Sequence, residues 1–289
     1  MERESLLERI VARILTPTRR AEDLYAEALQ ALEGTETGWQ DADRAFRLFK
    51  HAAHRRHLQA MVKLGECHEH GVGVDVDQAE AVRCYRQAAE GKSAEGISRL
   101  GDCYRKGVGV TKNFKEAILL YQTAVEKNDP TGQNGLGICH EDGLGVAKNP
   151  QKAVQWYQQA AEQGCAEAQC NLGRCYSQGF GVAVDHVQAT RWFSLASGQG
   201  KEAIDHLLRK QTRPAIAEAM FQLGACYEGG LGVEKDVICA ERWYGEAAHR
   251  QHPEACRKYA TLRKGDGSDN EDCGDSQDWT QRAKQFARG

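Results

Sequence analysis

The stretch Ala168-Gln169-Cys170-Asn171-Leu172-Gly173-Arg174-Cys175-Tyr176-Ser177-Gln178-Gly179-Phe180-Gly181-Val182 decides how this chain is to be read. Ala168, Leu172, Cys175 and Tyr176 fall at i, i+4, i+7 and i+8, which puts them on one face of an α-helix. The Gly-x-Gly that follows suits a helix C-cap, where glycine accepts a positive φ. Asp185 then suits the N-cap of a second helix, whose free N–H groups its carboxylate can accept. Ala189, Phe193 and Ala196 make that helix's stripe.

The same unit recurs through the chain. Leu-Gly stands at Leu64, Leu100, Leu136, Leu172 and Leu223, spaced 36, 36, 36 and 51 residues apart. Each leucine is followed by Cys67, Cys103, Cys139, Cys175 or Cys226, and then by a Gly-x-Gly turn opening at Gly71, Gly107, Gly143, Gly179 or Gly230. Asp77, Asn113, Asn149, Asp185 and Asp236 come next. An aromatic follows at Tyr85, Tyr121, Tyr157, Phe193 and Tyr244. The second half of the unit appears once earlier (Asp41, Ala45, Phe49, Ala52), and the first half once more at the end (Ala255, Tyr259). A fixed period of this length is the mark of a stacked helical array.

Composition agrees. Thirty glycines against five prolines in 289 residues ask for regularly placed turns. A net charge of −3 excludes a strongly cationic nucleic-acid binder, and no apolar run is long enough for a transmembrane helix. The apolar stripe of Leu6, Leu7, Ile10, Val11 and Ile14 is broken by charges, so residues 1–20 read as an amphipathic helix rather than a signal peptide. Five of the eleven cysteines share one repeat position. Stacked helices lie about 10 Å apart, too far for disulfides along that ladder. Reduced, buried thiols and a cytoplasmic location are expected. Cys165, Cys170 and Cys175 are five apart and do not share one face; the ligand-like stretch Cys67-His68-Glu69-His70 reads as a core histidine in place of a repeat tyrosine followed by a solvated helix end, and no cofactor or metal is expected. A Gly-x-Gly repeated five times is a turn, not a phosphate loop.

The pattern small-x-x-x-Leu-Gly-x-x-Tyr-x-x-Gly-x-Gly-Val, then Asp or Asn, then Ala-x-x-Trp-Tyr-x-x-Ala-Ala resembles Sel-1-like repeats, relatives of the tetratricopeptide repeat. The resemblance covers roughly 240 residues. It implies an all-α, right-handed superhelical solenoid of about six helix-turn-helix repeats plus a terminal capping helix. The repeats would span 21–263, with the first helix (A) of each pair lining a concave surface. It also implies a non-enzymatic scaffold or adaptor that binds a protein or peptide. A hydrolase with its site in the cleft is the alternative.

By analogy with tetratricopeptide grooves, the solvent-facing positions of helix A lie two and five residues either side of the repeat leucine. Glu66, Glu69, Glu95, Asp102, Arg105, Asn134, Glu141, Glu167, Arg174, Phe221 and Glu228 are the partner-binding candidates among them. Acids outnumber bases there, so a basic or mixed peptide is the expected partner, with no nucleic acid or membrane. Two departures stand out. Fifteen extra residues at about 198–216 read as a half-repeat that should bend the superhelix, serving either as a tolerated insertion or as a partner contact. Residues 264–289 read as an acidic linker and a short helix with Trp279, Ala283 and Phe286 on one face, docking in cis or in trans.

Overall fold

The computed structural model describes residues 20–33, 41–202 and 214–265. The readings of residues 1–19 and 266–289, and of the half-repeat pattern at 203–213, lie outside the described residues. Thirteen helices and no strand are present among the described residues. They pair as α1 (Ala21–Glu33) with α2 (Ala42–His54), α3 (Leu58–His70) with α4 (Gln78–Glu90), and α5 (Ala94–Lys106) with α6 (Phe114–Val125). Next come α7 (Pro130–Asp142) with α8 (Pro150–Glu162), α9 (Ala166–Gln178) with α10 (His186–Glu202), and α11 (Pro214–Gly229) with α12 (Val237–His249). α13 (Pro253–Gly265) packs on α12 and closes the described array. Odd-numbered helices are A helices and even-numbered ones B helices.

The local chemistry sets these boundaries. Gly71, Gly107, Gly143 and Gly179 cap the A helices at φ of 72–77°. Asp77, Asn113, Asn149 and Asp236 accept backbone N–H groups at the start of the B helices. The A helices carry caps of their own. Ser93 Oγ, Asp129 Oδ2, and Nδ1 of His57 and His252 each accept an N–H three residues on.

Packing makes the stack continuous. The leucine and cysteine of each A helix pack on the alanines and aromatic of the preceding B helix, as Leu100 and Cys103 do on Ala81, Tyr85 and Ala88. The glycine after the leucine faces the opposite way, onto the aromatic of its own B helix. A Cβ at Gly65, Gly101, Gly137, Gly173 or Gly224 would meet that ring at 2.5–2.8 Å. Leu-Gly is therefore a two-sided contact, an anchor to one repeat and a seat for the ring of the next helix. Successive A helices touch directly (α3 with α5, α5 with α7, α9 with α11), and no two B helices pack to that extent among the described residues. These one-sided contacts put the A helices on the inner side of the stack.

The long spacing does not disturb this order. The helix before it, α10, runs to 17 residues and the one after it, α11, to 16, where 13 is usual. The second turn glycine of each repeat sits against the first residues of the preceding B helix: Gly73 on the Ala42 carbonyl, Gly109 on that of Gln78, Gly181 on that of Pro150. Gly232 sits on the His186 carbonyl in the same way, across the insertion. The Thr190 hydroxyl also donates to the Leu231 carbonyl at 3.0 Å. Part of the extra length therefore lies in the longer α10 and α11, and the contact between the repeats on either side of it is the one seen elsewhere in the array.

Candidate functional site

The inner surface is built from the A helices, and two rows of its side chains turn out to be structural. The position five after the leucine meets the B-helix tyrosine of its own repeat. Tyr85 donates to Glu69 at 2.7 Å and Tyr244 to Glu228 at 2.6 Å. Tyr157 donates to Glu141. In the second repeat Tyr121 donates to Asp102 at 2.7 Å, and Arg105 donates to the tyrosine oxygen at 3.0 Å. The fourth repeat has Phe193, which lacks a hydroxyl, and its matching position is Ser177, which donates to a carbonyl of its own helix. Acid and hydroxyl are present or absent together. The tyrosine hydroxyls are held protonated, pushed up by burial and by the carboxylate beside each.

The second row seals the seam between A helices. Glu66, expected to face solvent, is 4% exposed and accepts from Lys63 at 2.9 Å and Arg99 at 2.7 Å. Burial alone would raise its carboxyl. Arg99 and Lys63 outweigh that and bring it from 4.5 down to about 2. Asn134 is 2% exposed, donating to Glu167 at 3.2 Å and accepting from Asn171 at 3.1 Å. Arg174 reaches back to Glu141 at 2.8 Å. Phe221 stacks on His252 at 4.7 Å, and His252 in turn bonds Glu218 at 2.9 Å. Val62, Ser98 and Cys170, which share the position of Asn134, are buried as well. The solvent-facing assignment is thus corrected for Glu66 and Asn134. Touching A helices put these two positions in the seam, while Asp102 and Arg174, in the same register as Glu66, stay partly exposed.

Arg105 and Arg174, which pair with Asp102 and Glu141, were among the candidates, but three further cations that balance the acids were missed by sequence reading. Lys63, Arg99 and Lys258 all stand one residue before the repeat leucine or its equivalent, and Lys258 reaches Glu228 at 2.9 Å. That register held the signal. The acidic excess at the candidate positions is largely neutralised inside the protein.

An open recess remains at the N-terminal ends of α1, α3 and α5. It has a volume of about 510 Å³ and is lined by residues that include Glu22, Arg56, His57, Gln59, Glu95 and Asp129. Glu95 approaches Arg99 only to 3.9 Å. Burial, then the charge of Glu66 with a further contribution from Asp129, pushes its carboxyl up, against the pull of Arg99 and Lys63. Asp129 caps α7 and accepts from Ser98 Oγ at 2.7 Å. Of the eleven candidates, the structure gathers only Glu95 into this recess.

The ladder thiols Cys67, Cys103, Cys139, Cys175 and Cys226 are buried and unbridged. Burial pushes Cys103 and Cys175 up to about 12 and Cys139 to about 11. No group of three metal-ligating side chains occurs among the described residues, and no described helix is long and apolar enough to cross a membrane.

With this geometry in hand, comparison with known proteins is informative. A Sel1 repeat protein from Oxalobacter formigenes is 29% identical, matching 84% of this chain and 94% of that one at a TM-score of 0.64. A protective antigen present in uropathogenic Escherichia coli strains, displaying an SLR fold, is also 29% identical over 92% of this chain, with a TM-score of 0.54. The match takes in 54% of that antigen, so this chain spans about half its length. An immunity protein from Pseudomonas aeruginosa shares the fold at 19% identity, over 82% of this chain and 85% of that one, with a TM-score of 0.55. The Sel1 repeat profile matches residues 32–57, 58–93, 94–129, 130–165, 166–201 and 217–252, the same periods that the helix pairs mark. The chain belongs to the Sel1 repeat family.

Proposed function

We propose that this protein is a non-enzymatic scaffold that binds a protein or peptide on its inner face, with a basic side chain seated in the recess lined by Glu22, Glu95 and Asp129. The observation that carries this reading is the contrast in charge. Glu66, Asp102, Glu141 and Glu228 are each within 3 Å of an internal cation, whereas Glu95, its carboxyl raised by burial first and then by the charge of Glu66, lines an open recess and comes no nearer than 3.9 Å to Arg99. A lysine, arginine or terminal amine entering there relieves that repulsion. A location in a reducing, cytoplasmic compartment is part of the proposal, supported by the buried thiol ladder.

The hydrolase alternative draws less support. A nucleophile needs a base to activate it. Ser98 Oγ is committed to Asp129 and to helix carbonyls, and Cys170, on the same row, is pushed up to about 12. Selection of a random peptide library on the full chain tests the proposal. Enriched peptides should be rich in Lys and Arg, and should be lost at high salt and with Glu22→Lys/Glu95→Lys. Peptides with no basic bias, or binding indifferent to those substitutions, would exclude the recess as the site.

A further inference from the structure

The B helices make up the outer side of the stack, and the 36-residue register lets their exposed charges be compared position by position. Where α4 and α6 carry Glu80 and Glu116 in the first turn, α2 has Arg44. Where the second, third and fourth repeats close this helix on Glu90, Glu126 and Glu162, α2 has His54. Arg47 and Lys50 stand between, and Arg55 and Arg56 follow in the turn to α3. Asp43 is the one acid of α2. This helix is thus strongly cationic in a chain of net charge −3.

Elsewhere on this side such charges are matched. Arg83 meets Glu80 at 3.1 Å, and Arg250 meets Glu246 at 2.9 Å. On α2, Arg44 has Glu27 of α1 at 2.6 Å. Arg47, Lys50, Arg55 and Arg56 are exposed, and none has an anionic partner among the described residues. Arg86, one period after Lys50, is exposed and unmatched in the same way, and carries the patch onto α4. There the patch stops. The positions of Arg47 and Lys50 become Leu119 and Gln122 on α6, and Gln155 and Gln158 on α8.

Unmatched cations this close repel one another, and an anionic partner relieves that repulsion. The extent of the patch selects the partner. From Arg47 to His54 is two helical turns, about 10 Å, and stacked helices lie about 10 Å apart. A duplex nucleic acid carries one charge per about 1.7 Å over a much longer span, most of which would lie on the neutral face of the later repeats. A bilayer surface takes in apolar side chains, and α2 exposes no large one. About three or four carboxylates within one protein segment match the patch in size and sign. We infer that Arg47 and Lys50, with Arg86 beside them, dock a short acidic segment of a partner protein on the outer face of the first two repeats. Neither Arg47 nor Lys50 lines the recess, so this surface is independent of it and takes a partner of opposite charge.

Titration of the full chain with a fluorescein-labelled peptide of alternating Glu and Ala pairs tests this. Binding should be saturable and should weaken at least tenfold between about 50 and about 300 mM salt. Arg47→Glu/Lys50→Glu should weaken it at least tenfold and the milder Arg47→Gln/Lys50→Gln at least threefold. Both should keep the melting temperature within about 2 °C of the parent, because these side chains are exposed and unmatched. Gln155→Glu/Gln158→Glu, on the neutral stretch of α8, should change binding less than twofold. Glu22→Lys/Glu95→Lys should not weaken it, which separates this surface from the recess. No binding of the peptide, equal weakening by the α2 and α8 pairs, or tighter binding of a 20-base-pair duplex or of phosphatidylserine vesicles than of the peptide would overturn the inference.

Discussion

At the scale of single residues, the glycine after the repeat leucine is the position with least freedom. Gly137→Ala would place a Cβ 2.5 Å from Cε1 of Tyr157, a ring fully buried between helices. The helix propensity gained, about 1 kcal/mol, is smaller than the cost of displacing that ring, so denaturant unfolding should show a net loss of about 1–3 kcal/mol. Gly198→Ala is the control. It lies in α10 with nothing within 4 Å of the added Cβ and should stabilise by about 0.5–1 kcal/mol. The paired absence at Phe193 and Ser177 is testable as a double-mutant cycle. Phe193→Tyr alone buries a hydroxyl with no acid beside it. Adding Ser177→Glu recreates the pair seen at Glu141 and Tyr157, and a favourable coupling of about 1 kcal/mol is expected. A coupling of zero would mean that the pairing elsewhere contributes little.

At the scale of elements, the seam between A helices depends on buried ion pairs and is therefore sensitive to acid. Glu66 is lowered from 4.5 to about 2 in the folded chain, so the folded state holds it ionised more readily than the unfolded state does. Its stabilising contribution is complete above pH 4.5 and is lost as pH falls towards 2. Glu66→Gln should destabilise at neutral pH by about 2–4 kcal/mol, since it leaves Arg99 and Lys63 poorly paired. It should also flatten the stability profile in that acid window, as followed by circular dichroism. Glu66→Lys, which charge counting alone would offer as a binding mutant, is expected to unfold the seam. Glu95→Lys is the better probe of binding, because Glu95 is not a close partner of any cation.

At the scale of the whole molecule, the insertion adds length without changing phase. Gly232 docks on α10 as Gly181 docks on α8. Deleting residues 200–214 restores the 36-residue spacing and a three-residue link between α10 and α11. The shortened chain should unfold cooperatively with stability within about 1 kcal/mol of the parent, because the length of a connection enters closure entropy only logarithmically. A loss above about 3 kcal/mol, or loss of the cooperative transition, would show that the inserted residues themselves support the stack.

The sequence by itself determined the repeat, its boundaries and its helix pairs. Capping, helix periodicity and turn glycines act within a few residues of one another, and five copies in one register made them legible. It also marked which positions are buried, since Leu100 and Cys103 repeat with the period of the fold, although the helix they pack against came from the structure. What only tertiary structure decided is how the inner face is shared out. Glu66 reads as a surface acid on an isolated helix, and becomes a buried ion-pair partner because Arg99 arrives from the next repeat. Glu69, Glu141 and Glu228 likewise become tyrosine acceptors, and Glu95 alone of the candidate acids is left in the open recess. Charge on a helix face is a local property, but whether that charge meets water, a neighbour or a ligand depends on the distance and angle between stacked helices, which emerge only when the whole array packs.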